Sequence, residues 1–234
     1  MGLYVLSDLH LSFSTNKPMD IFGVRWQNHY LKIKENWSRM VGEDDTVVIP
    51  GDISWGIDLE DAKEDLRFIH ELPGRKIIGR GNHDYWWVTA AKFKKFIAEN
   101  GFDTIDFLYN NAYLAGNIIV CGTRGWMAEF GVKEEDERII AREILRLGIS
   151  LDAAEKIKSE NPHAEIVAFS HYPLMFGEFK NEGAAQLLCE HGVKRFYFGH
   201  LHGIPSSTVP SECCGVKQVL ASGDALDFCP SRVD

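Results

Sequence analysis

Residues of metal-ligating type recur in comparable settings along this chain. Asp8 and His10 form an Asp-x-His, Asp52 closes a Gly-Asp, and Asn82 opens Asn-His-Asp after a glycine. His171 follows a serine, and His200 and His202 form a Gly-His-x-His. Cysteine is absent from the set, so a structural zinc–thiolate site is not the chemistry on offer. The imidazoles argue against an all-oxygen calcium or magnesium cage. Mixed nitrogen and oxygen ligation suits Mn, Fe, Zn, Co or Ni. The set exceeds what one catalytic ion takes, so two divalent or trivalent transition-metal ions are expected. A carboxylate bridges two ions through its two oxygens. Two such cations outweigh the charge of Asp8 and Asp52, which favours an anionic substrate. A pair of ions about 3.5–4 Å apart activates water and clamps phosphoryl oxygens for in-line displacement. Taken singly, each motif also reads as a turn or a surface histidine. It is the combination, with five of the nine histidines (His10, His83, His171, His200, His202) inside it, that points to a metal centre.

The elements that must position these residues are strands. Short apolar runs at 2–7 (GLYVLS), 46–50 (TVVIP), 76–79 (KIIG), 165–169 (EIVAF) and 195–198 (RFYF) each end just before one of the motifs. Ligand sites of open α/β sheets gather beyond the carboxyl ends of strands. Two further strands are expected at 117–121, in a hairpin with the segment around Tyr113, and at 216–221. Helical spacing joins Tyr30, Ile33, Trp37, Met40 and Val41, and again Leu59, Ala62, Leu66 and Ile69, with Asp58 placed to cap. Phe93, Phe96 and Ile97 line a third helix ended by Gly101. Helices are also expected at 134–147, separately at 150–160, and at 181–191. The alternation predicts one α/β domain, 1–234, with mixed sheets. The irregular stretch 12–28 is a candidate lid.

Composition sets the frame. The chain has 234 residues, 45% hydrophobic and 25% charged, which is ordinary globular usage. No apolar run approaches the roughly 20 residues that span a bilayer, so no membrane partner is expected. A net charge of −9 argues against a broad nucleic-acid surface. It leaves room for a small anionic substrate at a local positive site. Five cysteines without a C-x-x-C pair, and no leader pattern at the amino end, predict a reducing, cytoplasmic setting.

Together, the motifs from Asp8 to His202 resemble those of the calcineurin-like metallophosphoesterase superfamily. The resemblance implies two mixed β-sheets packed as a sandwich flanked by helices, with a dinuclear site at the strands' C-terminal ends. It implies that Asp8, His10 and His202 hold one metal, that Asn82, His171 and His200 hold the other, and that Asp52 bridges them. His83 would face the substrate as acid or transition-state stabiliser, and Asp84 would orient it. The Ser/Thr protein phosphatases of the superfamily follow Gly-Asp with Val-Asp-Arg-Gly, whereas Gly51-Asp52 is followed here by Ile53-Ser54-Trp55-Gly56. A cation for the substrate phosphate must therefore come from elsewhere. Arg124 and Arg80 are the candidates, and Arg25, beside Trp26, is a weaker one. Trp86 and Trp87 either stack on substrate or belong to the core. The expected activity is hydrolysis of a small phosphodiester or phosphomonoester, nucleotide derivatives included, by a metal-bound hydroxide. The alternatives are a nuclease or protein phosphatase of the same superfamily, or a non-catalytic scaffold. The scaffold reading predicts missing ligands, and none is missing.

Overall fold

In the computed structural model, which describes residues 1–128 and 131–233, every run expected to be a strand is one. Strands β1 (Leu3–Val5), β2 (Thr46–Ile49), β3 (Arg75–Ile78) and β4 (Ile105–Phe107) lie side by side in parallel. The second sheet is built on β6 (Ile118–Thr123), β7 (Glu165–Ser170), β10 (Arg195–Phe198) and β12 (Val216–Leu220), again parallel. Antiparallel strands β5 (Ala112–Ala115) and β11 (Glu212–Cys213) close its two edges. A small hairpin, β8 (Met175–Phe176) with β9 (Phe179–Lys180), stands apart, and β13 (Ser231–Arg232) pairs antiparallel with β1.

The central strands are apolar on both sides because both sides are covered. Val5, Val48, Ile77, Val120, Val167 and Phe169 form the layer between the sheets. On the outside of the first sheet lie α1 (His29–Met40), α2 (Lys63–Glu71) and α3 (Ala90–Asn100), which bury Ile33, Trp37, Leu66, Ile69 and Phe93. On the outside of the second lie α4 (Glu134–Glu160) and α5 (Glu182–Glu190), with Leu147, Leu151, Ala185 and Leu188. The sandwich is closed on the site side by the Ser7↔Ser222 bridge, where Ser7 N–H donates to the Ala221 carbonyl at 2.8 Å.

Two helix expectations are corrected. Residues 134–160 form one helix of 27 residues, not two. Gly148 costs about 1 kcal/mol against alanine inside a helix, and packing on β5, β6 and α5 outweighs that. Ser150, expected to begin a new helix, is an internal residue whose Oγ receives the Gly122 N–H at 2.9 Å and donates to the Asn111 carbonyl at 2.6 Å. Asp58 does not cap α2. It accepts from Glu60 and Asp61 N–H in a turn, and the helix begins at Lys63.

Among the described residues all five cysteines are unpaired, and no helix is long and apolar enough to cross a membrane.

Candidate metal centre

The site is made by the loops that leave β1, β2 and β3 in one sheet and β7 and β10 in the other. Their backbone is unusual. Asp8, His10, Asp52 and His200 all have positive φ, at 60°, 45°, 52° and 69°. Such conformations cost of the order of 1–3 kcal/mol each and persist where the surroundings over-determine them. Here the surroundings do so: Asp8 N–H donates to the Gly51 carbonyl and His10 N–H to the Asp52 carbonyl, which laces the first loop to the second. His200 N–H donates to the Asp8 carboxylate at 3.1 Å, and His83 N–H to Asp52 Oδ1 at 2.8 Å. Two glycines make room for the carboxylates. A Cβ on Gly81 would lie 2.0 Å from Asp52 Oδ1, and one on Gly199 2.1 Å from Asp8 Oδ2.

Asp8, His10, Asp52 and His171 are buried, and their donor atoms converge. Asp8 Oδ1 lies 3.4 Å from His202 Nε2 and 4.0 Å from both His10 Nε2 and His171 Nδ1. Asp52 Oδ2 lies 3.7 Å from His10 Nε2 and 3.5 Å from His171 Nε2. His10 and His202 aim their Nε2 atoms at each other across 3.2 Å, and Asn82 Oδ1 sits 2.7 Å from His171 Nε2. Two groups could each hold an ion: Asp8, His10 and His202, and Asp8, Asp52 and His171. His200 packs its ring on Tyr172 and His171, 4.3 and 5.1 Å between centroids, at the margin of the second group.

The electrostatics of this cluster suit a cation. Burial holds His10 down to about 3, His200 to about 4 and His171 well below the usual imidazole range, so all three offer neutral ring nitrogens. The buried Nδ1 atoms of His10 and His171 have no hydrogen-bond partner among the described residues. Burial, with the Asp8 and Asp84 carboxylates close by, pushes Asp52 well above the carboxylate range. Burial also opposes ionisation of Asp8, but the bond from His202 and the charge of that ring, which its bonds to Asp224 and Asp8 raise to about 10, hold it low. Unpaired imidazole nitrogens and crowded carboxylates are what positive ions between them would satisfy, so the residues present fit a metal centre.

Comparison with known proteins is consistent with this geometry. The family model for calcineurin-like phosphoesterases matches residues 1–203. The chain belongs to the calcineurin-like phosphoesterase family. The Gene 66 protein of Mycobacterium phage L5 is 36% identical over 78 residues, so the match spans 33% of this chain and 37% of that relative's length. Two solved structures share the fold over 99% of this chain. A phosphopantetheinyl hydrolase of Mycobacterium tuberculosis matches over 95% of its own chain with a TM-score of 0.54 at 13% identity. A protein of Thermus thermophilus matches over 97% of its own chain with a TM-score of 0.55 at 12% identity.

Beside these candidate donors this calcineurin-like phosphoesterase has an open cleft of about 690 Å³, lined by His10, His83 and His202 among others. Trp55 stacks on His10 at 5.1 Å and leans on His83 at 4.4 Å, and Trp26 meets His10 and His202 edge-on at 5.7 and 5.6 Å. The segment expected as a lid forms two short 3-10 turns, Met19–Phe22 and Val24–Trp26. It lines the cleft with Met19, Phe22, Arg25 and Trp26. Arg25 is tied down there by its bond to the Asp224 carbonyl at 2.9 Å. Trp86 is core, 1% exposed, and Trp87 packs against the same core cluster.

No hydrogen bond joins Asp84 to the His83 ring among the described residues. The two Asp84 oxygens accept five N–H bonds, from Asp52, Gly81, Ile53, Ser54 and the Trp86 indole, at 2.7–3.3 Å. Asp84 is the clamp that shapes the Asp52 loop, and His83 Nδ1 has no hydrogen-bond partner among the described residues. Conversely, the sequence reading misses Asp224. Its Oδ1 accepts from His202 Nδ1 at 2.8 Å and its Oδ2 from Gly203 N–H at 2.8 Å, which turns His202 Nε2 toward Asp8. The signal is present: Ser222-Gly223-Asp224 follows β12 just as the other motifs follow their strands. Arg80 and Arg124 do not line the cleft. Both line a second cavity beside it. The Arg124 carbonyl accepts from His171 and Tyr172 N–H, while its guanidinium lies 4.9 Å over Trp126.

Proposed function

We propose that the chain is a dinuclear metal-dependent hydrolase of small phosphate monoesters or diesters. The observation that carries this is the place of Asp52. Its Oδ2 lies 3.7 Å from His10 Nε2 and 3.5 Å from His171 Nε2, which belong to different donor sets, within reach of both as a bridging carboxylate would be, while Asp8 is common to the two sets. Held among these donors, two ions would activate water and neutralise the phosphoryl oxygens.

The chain's own residues supply the rest. Asp8 and Asp52 are aimed by backbone N–H groups, so their free lone pairs face the imidazoles. His202 is turned by Asp224. His83 lines the cleft, held by its backbone bond to Asp52 and by Trp55, and would face the substrate as acid or as charge stabiliser. The aromatic walls give a substrate an apolar surface beside the charged floor. The Arg-bearing stretch of the protein phosphatases is absent from the Asp52 loop, which favours small soluble esters over phosphopeptides.

The test is elemental analysis with a screen of nucleotide and sugar phosphates in added Mn²⁺. Wild type is expected to bind two ions per chain, Asn82→Ala to lose one, and Asp52→Asn to lose turnover together with tight binding of both. An Asp52→Asn protein that keeps two tight ions and full activity would refute the bridge.

A further inference from the structure

The second cavity, about 450 Å³, is within the size range of small-molecule sites. Its lining includes Pro50, Gly79 and Phe169, at the ends of strands whose following loops carry Asp52, Asn82 and His171. Its walls carry Arg80, Lys92, Arg124, Arg142 and Arg146 against a single carboxylate, Glu143. This concentration of cations stands in a chain whose net charge is −9.

Glu143 does not neutralise the group. One of its oxygens takes the Thr123 hydroxyl at 2.6 Å and the other takes Arg146 at 2.8 Å and Arg142 at 3.4 Å. Arg80, Lys92 and Arg124 have no ion pair among the described residues, and the Nε atoms of Arg80 and Arg124 are buried without a hydrogen-bond partner. The stacking of Arg124 on Trp126 shelters its charge but satisfies no N–H. Buried guanidinium donors left unpaired beside like charges are an incomplete arrangement that a phosphate would complete in bidentate fashion. The cavity is also joined to the metal centre through the chain. Arg80 precedes Asn82 by two residues, and the Arg124 carbonyl holds the His171 backbone.

We propose that this cavity is a second anion subsite, and that the substrate is a small molecule carrying two phosphate groups, one at the metal donors and one here. This rests on the hydrolase reading above, and the experiment separates the two. Crystals of the full chain soaked in tungstate report the anion directly, through anomalous density against Arg80 and Arg124. Kinetics with Mn²⁺ then compare adenosine 3′,5′-bisphosphate with p-nitrophenyl phosphate in wild type and in Lys92→Gln/Arg142→Gln, both exposed positions. The double variant is expected to lose about tenfold or more in kcat/KM for the bisphosphate, from the loss of charge-assisted contacts, and to stay within about twofold for the single phosphate.

Tungstate at the metal donors but absent from the cavity overturns the subsite. An equal effect on both esters, or on neither, overturns the two-phosphate substrate. Tungstate in the cavity with no turnover of either ester overturns the hydrolase reading and leaves the anion site standing.

Discussion

Asp84→Asn separates a clamp from a catalytic partner. The wild-type carboxylate faces N–H donors only: Asp52 and Gly81 on Oδ2, and Ile53, Ser54 and the Trp86 indole on Oδ1. An amide presents one oxygen and one NH₂. Whichever way it turns, at least two N–H groups meet another donor and lose their acceptor in a fully buried setting. Each such orphan costs about 1–3 kcal/mol, which gives a destabilisation of roughly 2–6 kcal/mol. For a chain of this size each kcal/mol moves Tm by about 2–4 °C. The drop should therefore be at least about 4 °C. The Asp52 loop should slacken with it, so metal content should fall in the same variant. Thermal unfolding with and without chelator, alongside elemental analysis, reads both effects. An Asp84→Asn protein with unaltered Tm and metal content but a lowered kcat would refute the clamp and restore Asp84 to the reaction.

Three further outcomes are expected. Burial raises Asp65 to about 6, so between about pH 4 and 6 the native chain holds a proton that the unfolded chain has released. That stabilising contribution is full below pH 4 and is lost as pH rises through 6, by roughly 2–3 kcal/mol. Asp65→Asn can keep the Phe13 N–H bond and donate to Ser54 Oγ, so urea midpoints at pH 4.5 and 7 should differ less in the variant than in wild type, and an unchanged difference would count against the assignment. Asp224→Ala frees the His202 ring to rotate and should weaken metal binding about 10–100-fold in a chelator competition, with the fold intact. His83→Ala should slow alkyl phosphate esters by about 10²–10⁴-fold and nitrophenyl esters far less, because nitrophenolate leaves without a proton. Equal losses would assign His83 to charge stabilisation instead.

How much the sequence discloses depends on whether the signal is local. Each metal-ligand type stands beside the strand that presents it, so Asp8, Asp52, Asn82, His171 and His200 can be read from apolar runs and the residues after them. The strands themselves are unambiguous because Val47, Val48, Ile77 and Val167 need burial on both faces. What cannot be read is tertiary. The neighbours Asn82, His83 and Asp84 have three different surroundings, and nothing in Asn-His-Asp says that the carboxylate turns inward to five N–H groups. Strands of two or three residues, such as β4 and β13, are held by their neighbours rather than by their own pattern. The long helix runs through Gly148 because the packing of Leu147, Leu151 and Ala154 is invisible to local propensity. Arg124 stands at the expected strand end, but its side chain leans toward Trp126, away from the cleft.

The lacing of the site across both sheets has a kinetic consequence. Asp8 needs Gly51 and His200 for its backbone and carboxylate bonds, His171 needs Asn82, and His202 needs Asp224. The side-chain bonds among these span 22 to 192 residues of sequence. Loop closure over the longest of these spans is among the slow steps of folding. On the proposed two-ion reading no half of the chain would hold the ions tightly, and metal uptake during refolding should lag behind helix formation and coincide with docking of the two sheets. A dye that reports free metal would thus time the final step of assembly without any label on the protein.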